Sequence, residues 1–205
     1  MKTILIATHN KAKLDEINRG LKSFLKNHIN IVSLFDVKVS VAPDEKGQTF
    51  EENARLKAKF YGNLSGLPTI ADDGGLIIPY LNNEPGVKSR RWPGYEASDR
   101  ELINYTLAHL GGVQKKDRLA FLQTCLCFYD PKTRKTFCEE EKIAGFIAEK
   151  PLDIPTYGYP FRALFIVKKY NKYYDELTSS EHEKENHRLK ALKRLVKRIR
   201  EYLIE

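Results

Sequence analysis

Residues 70–76 read IADDGGL, with two consecutive carboxylates, Asp72 and Asp73, set on two glycines after an apolar run. Asp-Gly between hydrophobic stretches is a common hairpin signal. Paired carboxylates are also hard-oxygen ligands that can hold a divalent cation and activate water. Glu45 lies in the polar loop PDEKGQ, and Lys57 sits two turns into the helical pattern that follows it. Each alone reads as an ordinary loop acid or a solvated lysine. Together with the two aspartates, Glu45 would complete a site of the kind Mg²⁺ takes beside substrate phosphates. A third group is ATHNKAKLDE, where Thr8 ends an apolar stretch and Asn10, Lys11 and Lys13 open a helical pattern. Helix N-termini carry unpaired N–H groups and partial positive charge, so lysines there favour an anion site. Asn10 as a simple N-cap is the alternative. Near the C-terminus, Tyr157 and Tyr159 flank Gly158 in a Pro-bounded loop, which suits either a base-stacking platform or a lid on the core. His187 and Arg188 then open a basic helix, where paired donors could read a purine edge.

The elements that must carry these residues alternate between two periodicities. TILIAT and INIVSL read as strands, and Leu14, Ile17, Leu21 and Phe24 mark the apolar face of a helix between them. TFEENARLKAKFYG begins with Thr49 and has Glu52 three residues on, a capping-box helix start. LPTIAD and LIIPYL read as strands on either side of the Asp-Asp-Gly-Gly motif. LNNEPGVKSRRWPG reads as a loop, DRELINYTLAHL as a helix, and RLAFLQTCLCFYD with KTFCEEEKIAGFIAEKP as a long hairpin. After the Pro-rich stretch 151–160, RALFIVKKY reads as a last strand. The expected fold is α/β, one domain over 1–205, with an elongated, twisted, mixed sheet flanked by helices.

Composition narrows the class of protein. The apolar fraction is 41%, which fits a folded globular chain. No apolar run approaches the ~20 residues that cross a bilayer, and MKTILIATHN has too short an apolar core for a signal peptide. The net charge of +8 is concentrated in residues 186–200, which hold seven Lys/Arg and no acid. Leu189, Leu192, Val196, Ile199 and Leu203 form one stripe of that helix, so a docked helix with solvated cations is expected over a polyanion surface. Cys125, Cys127 and Cys138 show no metal-ligand spacing. Cys125 and Cys127 read as same-face packing residues of a strand, which implies a reducing, cytoplasmic setting.

The order of motifs resembles the inosine/xanthosine triphosphate pyrophosphatase family of house-cleaning nucleotide hydrolases. The resemblance rests on ATHNKAKLDE, GQTFEENARLKAK, ADDGGL, PGVKSRRWPG, the glycine-tyrosine loop and HRLKAL, across roughly residues 3–200. It implies two lobes around an active-site cleft, a homodimer, and Mg²⁺-dependent cleavage of ITP, dITP or XTP to the monophosphate and pyrophosphate. By position, Asp73 matches the general base. Glu45 and Asp73 match the metal ligands, with Asp72 beside them. Thr8, Asn10, Lys13 and Lys57 match phosphate contacts, with His9, Lys11 and Gly74 in the same turns, and Arg91 matches a further cation. Tyr157, Gly158, Tyr159, His182, His187 and Arg188 fall at the base-reading positions. Neither a nucleic-acid nor a membrane partner is implied. Four positions depart from the family pattern: Gly74 replaces a serine, Pro160 an acid, His182 a lysine (with Lys184 close by) and Asn186 a serine. These departures leave open the same reaction on another base. A nucleic-acid-binding role for residues 186–200 is the alternative outside the class.

Overall fold

KTILIA is β-branched and apolar, and in the structure it becomes a buried strand, β1 (Lys2–Ala7). A computed structural model describes residues 2–25, 29–154 and 156–204, so Pro155 of the expected Pro-rich loop lies outside the described residues. The chain continues through α1 (Lys11–Leu25), β2 (Ile29–Ser33), α2 (Phe50–Ser65), β3 (Thr69–Ile78), β4 (Glu84–Pro85) and α3 (Asp99–His109). The hairpin β5 (Leu119–Tyr129) and β6 (Thr136–Ile147) follows. Then come β7 (Phe165–Val167), β8 (Lys172–Tyr173), α4 (Ser179–Glu185) and α5 (His187–Ile204). The strands form a mixed, open sheet: β1 pairs in parallel with β2 and β3, whereas β4 with β3, β6 with β7 and β7 with β8 are antiparallel.

Two compact units divide the chain. The first comprises residues 1–73, 124–141 and 188–205. Its core joins Ile4 and Ile6 of β1, Ile70 of β3, and Leu126 and Phe128 of β5 to the apolar stripes of α1 and α5. Leu192, Val196, Ile199 and Leu203 are buried there as their spacing predicts, with Ala191 and Leu195 beside them. Gly20 lets the two helices approach: a Cβ there would lie 2.6 Å from Leu192 Cδ2 and 2.8 Å from Leu189 Cδ2. Helix α2 covers the other face, its Gly62 set against the Tyr129 ring. We expect Leu192→Ala to lower unfolding free energy by about 2–5 kcal/mol, read from denaturant midpoints. A loss within error would remove α5 from the core.

The second unit, residues 74–123 and 142–187, has its own core. Leu76 and Ile78 of β3, Leu102 of α3, Ala120 and Leu122 of β5, Ile143 and Ile147 of β6, and Phe165 of β7 converge there.

Several expectations are corrected. The Asp-Asp-Gly-Gly motif is not a turn between two strands: β3 runs unbroken from Thr69 to Ile78. Its place in the sheet between β1 and β5 holds the backbone extended, and this tertiary context overrides the local turn signal. The strand expected over RALFIVKKY is shorter, because Pro160–Leu164 form a 3₁₀ turn and β7 begins at Phe165. Helix α4, capped by Thr178 and Glu181, has no counterpart in the sequence reading. Cys125 and Cys127 are buried as expected, but Cys127 is disulfide-bonded to Cys138 of β6, with Cα atoms 4.1 Å apart. This removes the argument from cysteine usage to a reducing compartment. Spacing alone could not show the pairing, since it depends on the hairpin register.

Candidate active site

Thr8 closes β1, and its Oγ1 accepts the N–H of Asn10 at 3.2 Å. Asn10 Oδ1 accepts the N–H of Lys13 at 3.1 Å, so Asn10 caps α1. The cap turns the Lys13 side chain toward β3, where Nζ lies 2.7 Å from Asp72 Oδ2. His9 and Lys11 are exposed in the same turn, and His9 Nε2 lies 3.2 Å from the Tyr61 hydroxyl of α2.

Successive residues of a strand point to opposite faces of a sheet, so Asp72 and Asp73 enter different surroundings. Asp72 faces α1 and α5. Arg188 Nε and Thr124 Oγ1 both donate to its Oδ1, at 3.1 Å and 2.5 Å, while Arg188 Nη1 donates to Glu16 Oε2 at 2.7 Å. All four charged groups are largely or wholly buried. They balance as two anions and two cations, the condition under which buried charge is tolerated. Burial opposes the Asp72 charge, but Arg188 and Lys13 outweigh it and hold the carboxyl well below the usual carboxylate range.

Asp73 faces α2. Lys57 Nζ donates to Asp73 Oδ1 at 3.0 Å and to Glu45 Oε2 at 3.2 Å. The Glu45 loop is fastened to α2 by Gly47 N–H on Asn53 Oδ1, at 2.8 Å, and by the Thr49–Glu52 capping box. Burial pushes the Asp73 carboxyl up, and the lysines only partly offset this. Burial also works against the Lys57 charge, but Asp73 and Glu45 prevail and raise its pKa. Two carboxylates thus share one ammonium, and the buried Asp73 Oδ2 has no hydrogen-bond partner among the described residues. An unpartnered carboxylate oxygen beside a second carboxylate is a donor set that fits a hard divalent cation. Glu45, Asp72 and Asp73 do not converge as a trio: among the described residues only Cys125, Cys127 and Cys138 do.

In the second unit, Gly74 follows Asp73 within β3, and Arg91 is exposed at the end of a 3₁₀ turn. Tyr157 is 79% exposed with φ of 47°, and Gly158 has φ of 85°. The Arg162 guanidinium lies 3.6 Å from the Tyr159 ring centroid and 4.7 Å from that of Tyr174. His182 meets Tyr174 edge-on with centroids 5.2 Å apart, and His187 is buried at 6.4 Å from the same ring. Lys184 is exposed on α4.

Residues 4–198 match the sequence profile of the Ham1 family. The chain belongs to the Ham1 family. The dITP/XTP pyrophosphatase of Bacillus licheniformis is 37% identical over 195 residues, covering 95% of this chain and 96% of that protein. That of Bacillus subtilis is 37% identical over 197 residues, covering 96% of each. The solved structure of a HAM1 protein from Coxiella burnetii superposes with a TM-score of 0.83 at 30% identity, over 98% of this chain and 100% of that one.

Within this Ham1 chain, the first unit brings together Lys13 with Asp72, and Lys57 with Glu45 and Asp73. It places Arg188 on Asp72 and Glu16, where the sequence reading had it as a donor to the base. Sequence reasoning missed Glu16, Thr124 and Tyr61. Glu16 carried no signal of its burial, because a residue next to Ile17 lies about 100° round the helix from it. Thr124 in a hydrophobic strand offered none.

Proposed function

We propose that this protein is a nucleoside triphosphate pyrophosphatase, a hydrolase that splits ITP, dITP and XTP into the nucleoside monophosphate and pyrophosphate. The observation that carries the reading is Asp73, whose Oδ1 is held by Lys57 while Oδ2 is buried without a hydrogen-bond partner among the described residues. Asp73 and Glu45 would hold Mg²⁺, which when bound supplies charge neutralisation on the phosphates. Asp73 orients a water and accepts its proton as the water oxygen bonds to phosphorus at the α–β linkage. The P–O bond to the β-phosphate breaks, and its electron pair leaves with pyrophosphate. Lys57 keeps positive charge beside the developing anion. Asp72 is assigned a positioning role, because its oxygens are taken by Lys13, Arg188 and Thr124.

Base recognition is assigned to Tyr157, Tyr159, His182 and His187. Pro160 is buried at the start of its 3₁₀ turn and offers neither a charge nor an N–H, so preference for the 6-oxo purines rests on stacking and on donors. A nucleic-acid-binding role for α5 loses support, because Arg194 is paired with Glu139 and Glu141 of β6 and Arg198 with Glu139. We place the enzyme in the cytoplasm, where the nucleotide pool lies, and as a homodimer. Pyrophosphate release with Mg²⁺ across ITP, XTP, GTP and ATP tests the assignment. The expected order puts ITP and XTP first. Loss of one paired polar contact removes roughly 1–3 kcal/mol of discrimination, so the margin over ATP is narrow for such an enzyme. A preference for ATP or a pyrimidine triphosphate would overturn the substrate, and no pyrophosphate from any of them the reaction.

A further inference from the structure

Asp99 stands at the first position of α3, after the Ser98 cap, and its carboxylate is spent on three donors. Arg90 Nη1 donates to Oδ1 at 2.6 Å. The Thr156 hydroxyl and the Gly158 N–H, the latter at 3.2 Å, both donate to Oδ2. The two Oδ2 donors bracket Tyr157. That residue is an exposed aromatic in the left-handed backbone region, followed by a second left-handed residue. Such a conformation is unfavourable for a residue with a Cβ and persists only where its neighbours over-determine it. Hydrogen bonds on both flanks do that here. Arg90 is fixed further by the carbonyl of Ala97, at 3.2 Å, so the turn carrying the exposed Arg91 hangs from the same carboxylate.

We infer that Asp99 is a positioning residue that holds Tyr157 outward as the platform on which the substrate base stacks. The inference rests on the pyrophosphatase reading for what Tyr157 contacts, but not for how the loop is held. Chemistry explains why a carboxylate is required. All three partners are donors, so an amide would turn its NH₂ toward either Arg90 or the Thr156–Gly158 pair and could satisfy only one side. A flat aromatic face presented by a pre-set loop binds a base with little ordering cost, which makes the effect one on substrate affinity.

The test compares Asp99→Asn, Tyr157→Ala and the double variant. Thr156→Val and Thr156→Ser serve as variants that leave the Arg90 pair and the start of α3 intact. Asp99→Asn and Thr156→Val are expected to raise KM for ITP about tenfold with kcat within about twofold. Thr156→Ser should restore the wild-type value. The double variant should be no worse than Tyr157→Ala, the non-additivity of two residues acting through one contact. Without nucleotide, amide hydrogen exchange over 156–158 should quicken about tenfold in Asp99→Asn. Unchanged exchange overturns the anchoring, whatever the enzyme turns over. Faster exchange with unchanged KM, or additive losses in the double variant, overturns its bearing on base binding. Wild-type protein that cleaves no ITP removes the functional reading instead, while the exchange result still decides the anchoring.

Discussion

Asp73→Asn is expected to slow pyrophosphate release from ITP by about 100- to 10,000-fold, the usual cost of losing a catalytic base, with the thermal midpoint near that of the parent. The amide keeps the shape of the side chain and can still accept from Lys57 through its carbonyl oxygen. It cannot take a proton from water, and it offers a divalent cation one neutral oxygen in place of an anionic group. Stability is spared because burial already opposes the Asp73 charge, and Lys57 keeps Glu45 as a counter-ion. Steady-state pyrophosphate assays with a parallel melting curve make the measurement. Near-normal turnover would take Asp73 out of the chemistry, and an unfolded variant would make it a structural residue.

The neighbouring substitution should do the reverse. Asp72→Asn removes the anion that Lys13 and Arg188 share in a buried setting, while Glu16 remains on Arg188. Breaking a buried pair in this way costs about 3–5 kcal/mol, to be read from urea unfolding. The same network sets an acid limit. The Asp72 carboxyl is lowered in the folded protein, so its contribution is complete above the unfolded value, near pH 3.9. It is lost as pH falls below that value toward the folded one, where the folded state binds fewer protons than the unfolded chain. The parent's stability should therefore drop more steeply below about pH 4 than that of Asp72→Asn. A variant within 1 kcal/mol of the parent, by this accounting, would mean that the network holds no stability.

Local signals read well wherever one residue's chemistry settles its own surroundings. The Thr49–Glu52 capping box, the face of α1 and the stripe of α5 were all legible from periodicity and caps. The Lys57–Asp73 and Lys57–Glu45 contacts were legible only as a shared preference for phosphate and metal, and the structure adds that they meet each other. What stayed hidden was decided by long-range pairing. Thr124 meets Asp72 across 52 positions, and Arg188 meets it across 116. The role of Arg188 depends on where α5 docks, which no local pattern encodes. The Asp-Asp-Gly-Gly motif misled for the same reason: its local preference is a turn, and only its neighbours in the sheet keep it extended.

The unbroken course of β3 makes the two aspartates addresses on a two-sided ribbon. Which one meets Arg188 and which one meets Lys57 is set by parity, not by any difference between the side chains themselves. Inserting or deleting one residue between Thr69 and Asp72 would swap their sides, turning the Asp73 carboxylate to the Arg188 face and the Asp72 carboxylate to the Lys57 face. Substitution can therefore explore this segment one property at a time. A change in its length alters fold stability and chemistry together, so among functional sequences of this type the spacing from the start of β3 to the aspartate pair is a quantity to be kept whole.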